Sequence, residues 1–373
     1  MKISITEHFS ELIDPRQWCK IEHSLNDILI LCITAVICGA EGWQDIRTFG
    51  LARLPWLKTV GGFEHGIPVD DTIARVISCL NPRQLQACFM AWMNAAQTAT
   101  EGRIVAVDGK TLRRSFDRRD KKSAIHMVSA FAAGNGVVLG QRKTDDKSNE
   151  ITAIPELLEL LQLKGSIVTI DAMGCQEKIA SKIIDKGADY VLAVKDNQAQ
   201  LSSEIQDFFA TCRQFNFAGV DHDYHEETNK GHGRIEVRRT WISSAIESLS
   251  NAAKWKNLKS LGMVESERHV GEKVTREVRY FITSAAPDAA LLANAVRKHW
   301  HIENQLHWVL DISFREDESR LRRDNAAANF VVFRHIALNV LRQEKSDKKG
   351  IKAKRFRASL EPDYAEKVMA AIF

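Results

Sequence analysis

Two aspartates stand where chemistry is expected, at the carboxyl ends of two apolar segments. Asp108 ends the segment IVAVD and Asp171 ends the segment IVTID, and both segments have the composition of buried strands. If these strands are neighbours in an open α/β sheet, the two carboxylates meet in the crevice at the sheet edge. Carboxylates so placed repel each other unless a cation lies between them, and their hard oxygens suit Mg²⁺ or Mn²⁺. Either aspartate alone is typical of a strand-end turn, so only the pair predicts a metal site.

A third acid would complete a two-metal site, which can activate water and stabilise a leaving 3′ oxygen. The candidate is Glu303 in the segment RKHWHIENQLHW, where cationic and aromatic side chains surround the acid. A regular helix would place His299, Trp300 and His307 on the same face as this glutamate. Three further acids compete for the same role, namely Asp311, Glu316 and Asp317.

The hydrophobic pattern predicts the elements that hold these residues. From residue 104 the chain shows three successive strands, with the turn Gly134-Asn135-Gly136 between the second and the third. Helices and strands then alternate up to about residue 212, with strands at 167–171 and 190–194. An antiparallel start followed by βα units predicts an α/β fold whose mixed sheet has helices on both faces.

Basic residues concentrate in two stretches, although the whole chain carries a formal charge of only +4. Residues 110–122 contain seven Lys and Arg against two acids, and residues 342–357 contain eight against two. Two such stretches indicate a polyanionic partner such as nucleic acid. Residues 342–357 also have too few apolar side chains to pack, so we expect a flexible tail or a binding arm.

The remaining segments differ in composition. Residues 1–98 have a helical pattern and nearly balanced charges, which gives no support to a DNA-binding helix-turn-helix there. Within residues 216–285, three short alternating runs typical of strands lie at 234–242, 261–270 and 275–283. Helices return at 288–311 and 329–341. The predicted organisation is an N-terminal helical domain at 1–98, a catalytic core at 99–215, a β-rich insertion at 216–285, the second part of the core with the Glu-bearing helix at 286–341, and a basic C-terminal tail at 342–373.

Cysteine use and hydropathy bear on the compartment. The seven cysteines form no CxxC pair, which is typical of a reducing cytoplasm. The strongest apolar run, residues 28–40, is well short of the roughly 20 residues needed to cross a bilayer. The sequence therefore predicts a cytoplasmic protein without a membrane role.

Six motifs resemble one known family over nearly the whole chain. The sequence is similar to the DDE transposases of bacterial insertion sequences, and most closely to the H-repeat-associated transposase-like proteins of Rhs elements. The motifs are VAVDGKTLRRS (105–115), KSNEITAIPELL (147–158), VTIDAMGCQ (168–176), YVLAVKDNQ (190–198), HGRIEVR (232–238) and VRKHWHIENQLHWVLDISFREDESR (296–320).

The resemblance implies a ribonuclease H-like core with Asp108 on the first strand, Asp171 on the fourth and Glu303 on a helix after a β-strand insertion. It also implies a metal-dependent enzyme that cleaves double-stranded DNA at insertion-sequence ends and transfers the strand, working with Mg²⁺ or Mn²⁺ as a homodimer or higher oligomer on DNA. The alternatives are an inactive relic that only binds DNA and a nuclease without strand transfer.

The sequence departs from related enzymes around the catalytic glutamate. Positions that often hold Tyr, Arg and Lys are here Val296, His299 and Leu310, so Arg297, Lys298 or a protonated His299 is expected to replace the arginine. Asp196 stands where the family usually has Gly, which puts a carboxylate near the site. The expected DNA contacts are Lys110, Arg113, Arg114, Lys195, Asn197, Arg234, Arg238, Arg297, Lys298, His299 and Trp300.

Overall fold

The computed structural model describes residues 5–96, 103–116, 123–144, 150–231 and 233–370. Residues 117–122 of the first basic stretch, 147–149 of one motif and His232 of another lie outside this description. The N-terminal part is helical, as predicted. Its helices are α1 (Ile5–Phe9), α2 (Leu25–Ile37), α3 (Trp43–Val60), α4 (Asp70–Cys79) and α5 (Pro82–Ala96).

A mixed sheet forms the centre of the next part. Strands β1 (Ile104–Thr111), β2 (His126–Ala132) and β3 (Val137–Lys143) pair antiparallel in sequence order. Strand β4 (Ile167–Ile170) joins β1 in parallel, and β5 (Asp189–Val194) joins β4 in parallel. Three helices alternate with these strands, namely α6 (Glu150–Leu160), α7 (Glu177–Asp185) and α8 (Ala199–Gln214). These strand directions are those expected of a ribonuclease H-like core.

The β-rich segment continues this sheet. Its strands are β6 (His222–Gly231), β7 (Arg234–Ser243), β8 (Ser260–Val270) and β9 (Lys273–Thr283). Strand β9 pairs antiparallel with β5, which gives one nine-stranded sheet of order β3-β2-β1-β4-β5-β9-β8-β7-β6. The sequence pattern predicted three of these strands. It missed β6, whose composition is almost entirely polar because most of the strand is exposed.

The glutamate-bearing segment is not the single helix expected at 288–311. Helix α9 (Ala289–His299) is followed by a π-helical turn (Ile302–His307) and then by α10 (Trp308–Phe314). In the π-helical turn the backbone N–H of Trp308 donates to the carbonyl of Glu303, five residues back. Such turns widen a helix locally and occur frequently at functional sites. The turn contacts β1, while α9 packs across β1, β4 and β5.

Helix α11 (Ala326–Gln343) connects the N-terminal helices to the sheet. Almost every residue of this helix is buried, and it packs against α2, α4, α5 and β3. Two helices follow it, namely α12 (Ile351–Leu360) and α13 (Pro362–Met369). No helix in the described ranges is both long enough and apolar enough to cross a membrane.

The expectation that residues 342–357 cannot be buried is wrong for Lys354 and Arg355. Each is only 5% exposed. The Lys354 ammonium donates to the backbone carbonyls of Leu341 and Glu344, and the Arg355 guanidinium donates to that of Val36. Charged side chains can be buried when their hydrogen bonds are satisfied in this way. Part of the basic stretch therefore holds α12 onto the rest of the fold.

Candidate active site

The two aspartates meet at one edge of the sheet, as the sequence predicted. Parallel pairing of β1 with β4 places Val107 opposite Ile170, so the next residues on the two strands are Asp108 and Asp171. Asp171 ends its strand and caps a short 3-10 turn, where its carboxylate accepts from the N–H of Gly174 at 3.4 Å. The sheet and this cap therefore hold both carboxylates in place.

The carboxylates lie close enough to perturb each other's protonation. Burial raises the pKa of Asp108 to about 7, and the charges of Asp171, Glu150 and Glu303 raise it as well. Burial also raises the pKa of Asp171, together with the charge of Glu150. Concentrated negative charge of this kind is what a bound divalent cation would neutralise.

Glu303 extends the same group from the π-helical turn. Its side chain is exposed, whereas His307 at the end of the turn is buried, with Nδ1 at 3.6 Å from Oδ2 of Asp108. Among the described residues nothing hydrogen-bonds to Nε2 of this histidine. Burial lowers the pKa of His307 to about 4, so the imidazole is neutral near pH 7.

The sequence predicted that His299, Trp300, Glu303 and His307 share one face of a regular helix. In the structure His299 ends α9 and lines a pocket with Trp300 and Asp171, whereas Glu303 and His307 belong to the π-helical turn. His299 turns inward, and its Nδ1 lies 3.1 Å from Oγ1 of Thr169 on β4. Burial lowers the pKa of His299 to about 4, so it does not supply the protonated imidazole that we expected to replace an arginine.

The three acids that compete with Glu303 are each engaged by a cation. Lys110 pairs with Asp311 and also donates to the buried Glu316 at 2.9 Å. Burial alone would raise the pKa of Glu316, but Lys110 and Arg334 lower it below its usual range. Asp317 pairs with Arg113 at 3.2 Å. Glu303 is thus the best placed of the four to act as the third ligand.

The structure adds Glu150, which the sequence reasoning missed. This residue begins α6, and its carboxylate accepts a 2.7 Å hydrogen bond from Nε2 of His126 on β2. It lies near Asp108 and Asp171, since its charge raises the pKa of both. The one sequence signal for Glu150 was its place in the first turn of the helix after the third strand. Many helices carry an acid there because it stabilises the helix N-terminus, so this signal does not indicate a functional site.

The predicted DNA-contact residues fall into three groups. Lys110 is held by Asp311 and Glu316, with only 12% of its side chain exposed, so it is not free to reach a phosphate in this structure. Near the aspartates, the exposed Asn197 donates to the carbonyl of Ala172 at 2.6 Å. Lys195 is also exposed beside Asp171, and Arg113 and Arg114 are exposed on the segment after β1.

A basic cleft of about 510 Å³ lies between α9 and strands β7, β8 and β9. The Arg279 guanidinium stacks on the Trp300 ring at 4.6 Å from its centroid, on the side of the cleft that adjoins the aspartate pair. The sequence-predicted residues that line the cleft are Arg234, Arg238, Arg297 and Trp300. Lys298 lies on the same helix and borders a neighbouring pocket with Arg297.

The donor set fits a divalent cation. Carboxylate oxygens with an adjacent neutral imidazole are ligands and partners that Mg²⁺ and Mn²⁺ accept. Within the described ranges, no three His, Cys, Asp or Glu side chains already converge closely enough to chelate an ion. The side chains would therefore rotate towards an ion as it binds, and the exposed Glu303 is the one most free to do so.

Comparison with known proteins identifies the family. The family model described as "Transposase DDE domain" matches residues 99–340, and the one described as "DDE_Tnp_1-associated" matches residues 6–93. Among solved structures, a piggyBac transposase synaptic complex with hairpin DNA aligns at a TM-score of 0.42 and 12% identity, covering 97% of this chain and 76% of that one.

Curated relatives match over almost their full length. The chain is 45% identical over 371 residues to "H repeat-associated putative transposase YhhI" of Escherichia coli (strain K12), covering 98% of this chain and 97% of the relative. It is 48% identical over 372 residues to "Putative transposase YncI" of Escherichia coli O157:H7, covering 99% and 95%. The chain therefore belongs to the DDE transposase family, alongside the H repeat-associated proteins that it resembles in sequence.

Proposed function

We propose that this transposase cuts double-stranded DNA at the ends of an insertion sequence and joins the freed 3′ ends to target DNA, with Mg²⁺ or Mn²⁺ as cofactor. DDE transposases use divalent metal ions, and Asp108, Asp171 and Glu303 are the residues that would hold them here. The observation that supports this proposal is the placement of Asp108 and Asp171 on paired parallel strands, where burial and the charges of Asp171 and Glu303 raise the pKa of Asp108 to about 7.

The protein's own residues supply position and charge. Strand β1 and the cap after β4 fix the two aspartates, whereas Glu303 sits on a turn from which it can move. When bound, the divalent ions would activate the attacking water or 3′ hydroxyl and stabilise the departing oxygen. His307 borders this group through Asp108 and excludes solvent from one side of it.

The basic surfaces near these carboxylates support DNA as the substrate. The cleft beside α9 presents arginines and an aromatic ring, which are the side chains that contact phosphates and stack on bases. Lys195 and Asn197 lie beside Asp171, and Lys195 lines a pocket with Arg279 and Trp300 of the cleft. We propose that a homodimer or higher oligomer forms on DNA, because joining two element ends to one target requires two active sites to act together.

Nicking of a donor plasmid that carries the element's own ends tests the proposal. With Mg²⁺ or Mn²⁺, we expect the wild-type protein to nick the donor and to transfer the strand to a tagged target. Asp108→Asn, Asp171→Asn and Glu303→Gln should each abolish nicking with little change in DNA affinity, because each removes a ligand charge but hardly any volume. The matched control is Glu318→Gln, an exposed acid paired with Arg315, which should nick normally.

Three outcomes would contradict parts of this proposal. DNA binding without any nicking under Mn²⁺ would favour an inactive relic. Nicking without strand-transfer products would favour a nuclease. Retained nicking in Glu303→Gln together with lost nicking in Asp311→Asn would assign the third ligand to Asp311.

A further inference from the structure

Glu150 occupies an unusual place beside the three expected ligands. It is the first residue of α6, which packs against the 3-10 turn that follows Asp171. Only 13% of its side chain is exposed, although nothing in a first-turn glutamate requires burial. The fold therefore directs this carboxylate inward, towards the edge of the sheet where β1 and β4 end.

Gly109 shows how closely the carboxylate approaches β1. A Cβ atom at this position would overlap both the Glu150 carboxylate and the His126 imidazole. Gly109 has no positive φ, so the space requirement alone accounts for a glycine here. By contrast, a Cβ at Gly134, in the turn between β2 and β3, would meet nothing within 4 Å. The missing side chain lets Glu150 lie against the residue that directly follows Asp108.

A chain of hydrogen bonds holds the carboxylate there. Nε2 of His126 lies 2.7 Å from Oε1 of Glu150, and Nδ1 of the same ring lies 2.9 Å from Oγ1 of Thr111. Thr111 and His126 are cross-strand partners on β1 and β2. The sheet that carries Asp108 thus also fixes the position of Glu150.

We infer that Glu150 is a fourth carboxylate of the metal site, with Gly109 making room for it and His126 acting as its positioning residue. This inference rests on the proposed metal-dependent function. It adds a ligand to Asp108, Asp171 and Glu303, and this ligand lies on α6, which carries none of those three residues.

The packing around Asp108 supports this assignment. Gly109 lets the Glu150 carboxylate lie against the residue after Asp108, and the charge of Glu150 raises the pKa of both aspartates. His307 is also buried beside Asp108, with Nδ1 at 3.6 Å from its Oδ2 and no described partner at Nε2. A cation among the carboxylates would balance the negative charge that they share.

The role of Glu150 can be tested by metal affinity in the absence of DNA. Mn²⁺ binding to the full-length protein is measured by electron paramagnetic resonance of free Mn²⁺, and the stability of each metal-free variant is measured by thermal unfolding. Glu150→Gln keeps the size of the side chain and a hydrogen-bonding partner for His126. We expect it to weaken Mn²⁺ binding about tenfold or more, the usual range for residues that hold a metal site, without lowering the melting temperature of the metal-free protein.

The controls separate this inference from the function on which it rests. Glu156→Gln changes a glutamate on the same helix that pairs with Arg142, and it should leave Mn²⁺ affinity unchanged. His126→Gln should weaken Mn²⁺ binding less than Glu150→Gln does, because it loosens the carboxylate without removing it. Asp108→Asn and Asp171→Asn serve as positive controls and should weaken binding strongly.

Three other outcomes would overturn the inference or the proposed metal site on which it rests. If the two aspartate variants lose Mn²⁺ affinity but Glu150→Gln binds like the wild type, Glu150 is not a ligand and the inference is wrong. If Glu150→Gln unfolds at a lower temperature with unchanged affinity, the pair with His126 is structural. If none of the aspartate variants changes Mn²⁺ affinity, the proposed metal site itself fails.

Discussion

The ammonium group of Lys110 donates a 2.9 Å hydrogen bond to the buried carboxylate of Glu316. Glu316 also faces the Arg334 guanidinium at 3.4 Å, and Lys110 pairs with Asp311 on α10. Lys110 lies two residues after Asp108 on β1, so this buried network fastens the strand that carries Asp108 to the segment that carries Glu303. A lysine expected to contact DNA thus connects the elements that carry two of the proposed metal ligands.

We predict that Lys110→Met lowers the free energy of unfolding by about 3 kcal/mol, because it removes one of the cations that balance the charge of the buried Glu316 carboxylate. DNA nicking should be lost with little change in DNA affinity. Urea unfolding and a binding titration measure the two effects. Arg113→Gln is the matched control: 80% of this side chain is exposed, so stability should change by less than about 0.5 kcal/mol while DNA affinity falls. Equal, small stability losses in both variants would contradict the positioning role.

Much of the site follows from local sequence. An apolar segment that ends in aspartate is visible without tertiary information, and Asp108 and Asp171 both stand at such an end. Asp171 directly follows β4 as predicted, whereas β1 continues past Asp108 to Thr111. Parallel pairing of the two strands then brings the carboxylates together. Glu303 was identified because cationic and aromatic residues surround it in the sequence. These features could be predicted because each depends on residues that lie close together in the sequence.

Other features depend on contacts between distant segments. Glu150 looks like any first-turn acid until α6 packs on β2 and β3 and brings its carboxylate against Gly109. Lys110 looks like part of a solvated basic run until Glu316 pairs with it. The π-helical turn is a change in backbone hydrogen bonding, which the spacing of apolar residues does not reveal. The carbonyl that accepts from Arg355 belongs to Val36, more than 300 residues earlier.

Buried histidines should make the protein sensitive to acid. Burial lowers the pKa of His299 to about 4, whereas in the unfolded chain it titrates near 6.5. Between these values the unfolded state binds more protons, so this contribution to stability is present above pH 6.5 and is lost as the pH falls towards 4. Asp108 has the opposite effect on stability. Its pKa of about 7 in the folded state lies above the value for an unfolded aspartate, so its contribution to the free energy of unfolding rises as the pH falls.

We therefore predict that the loss of unfolding free energy between pH 6.5 and pH 4.5 is smaller in His299→Gln than in the wild type, by on the order of 1 kcal/mol. Glutamine can keep the hydrogen bond to Thr169 without titrating. Urea unfolding at the two pH values measures the difference. His65→Gln, at an exposed position, should behave like the wild type. An unchanged pH dependence in His299→Gln would show that this histidine binds a proton as readily in the folded state as in the unfolded chain.

The cleft beside α9 gives a prediction about DNA affinity. Arg234 and Arg238 both line it, and each pairs with Glu236. Replacing both by Gln should weaken binding to element ends. It should also reduce the magnitude of the slope of log affinity against log salt by roughly 0.9 for each DNA phosphate that these arginines neutralise. Fluorescence anisotropy over a range of salt concentrations measures both quantities.

The neighbouring Arg239 provides the control for the cleft. It points to the other face of β7, where Glu226 and Glu265 hold it. Arg239→Gln should therefore leave the salt slope unchanged. Strands β6–β9 would have only a structural role if Arg239→Gln changed the salt slope as much as the double substitution of Arg234 and Arg238. The same would follow if that double substitution left DNA binding unchanged.

The C-terminal basic stretch presents four exposed lysines without described ion pairs, although acids stand among them in the sequence. Glu344 is turned inward, where Tyr364 donates to it at 3.0 Å, and Asp347 is buried and pairs with Arg357. The exposed lysines are Lys345, Lys348, Lys349 and Lys352, and the structure gives none of them an ion pair with another described residue. Folding thus separates the charges of this stretch and leaves a positive surface before and at the start of α12.

Replacing these four lysines by Gln should flatten the salt dependence of DNA binding. If about half of them contact phosphates, the slope of log affinity against log salt should fall in magnitude by roughly 2. Phosphate contacts carry no sequence information, so affinity for element ends and for random duplex DNA should fall alike. The control is Lys354→Met on the same helix, which should lower stability and leave the slope unchanged, because Lys354 is buried against backbone carbonyls. Titrations of both duplexes between low and moderate salt decide the matter: an unchanged slope in the fourfold variant, with urea unfolding like the wild type, would mean that this surface does not contact DNA.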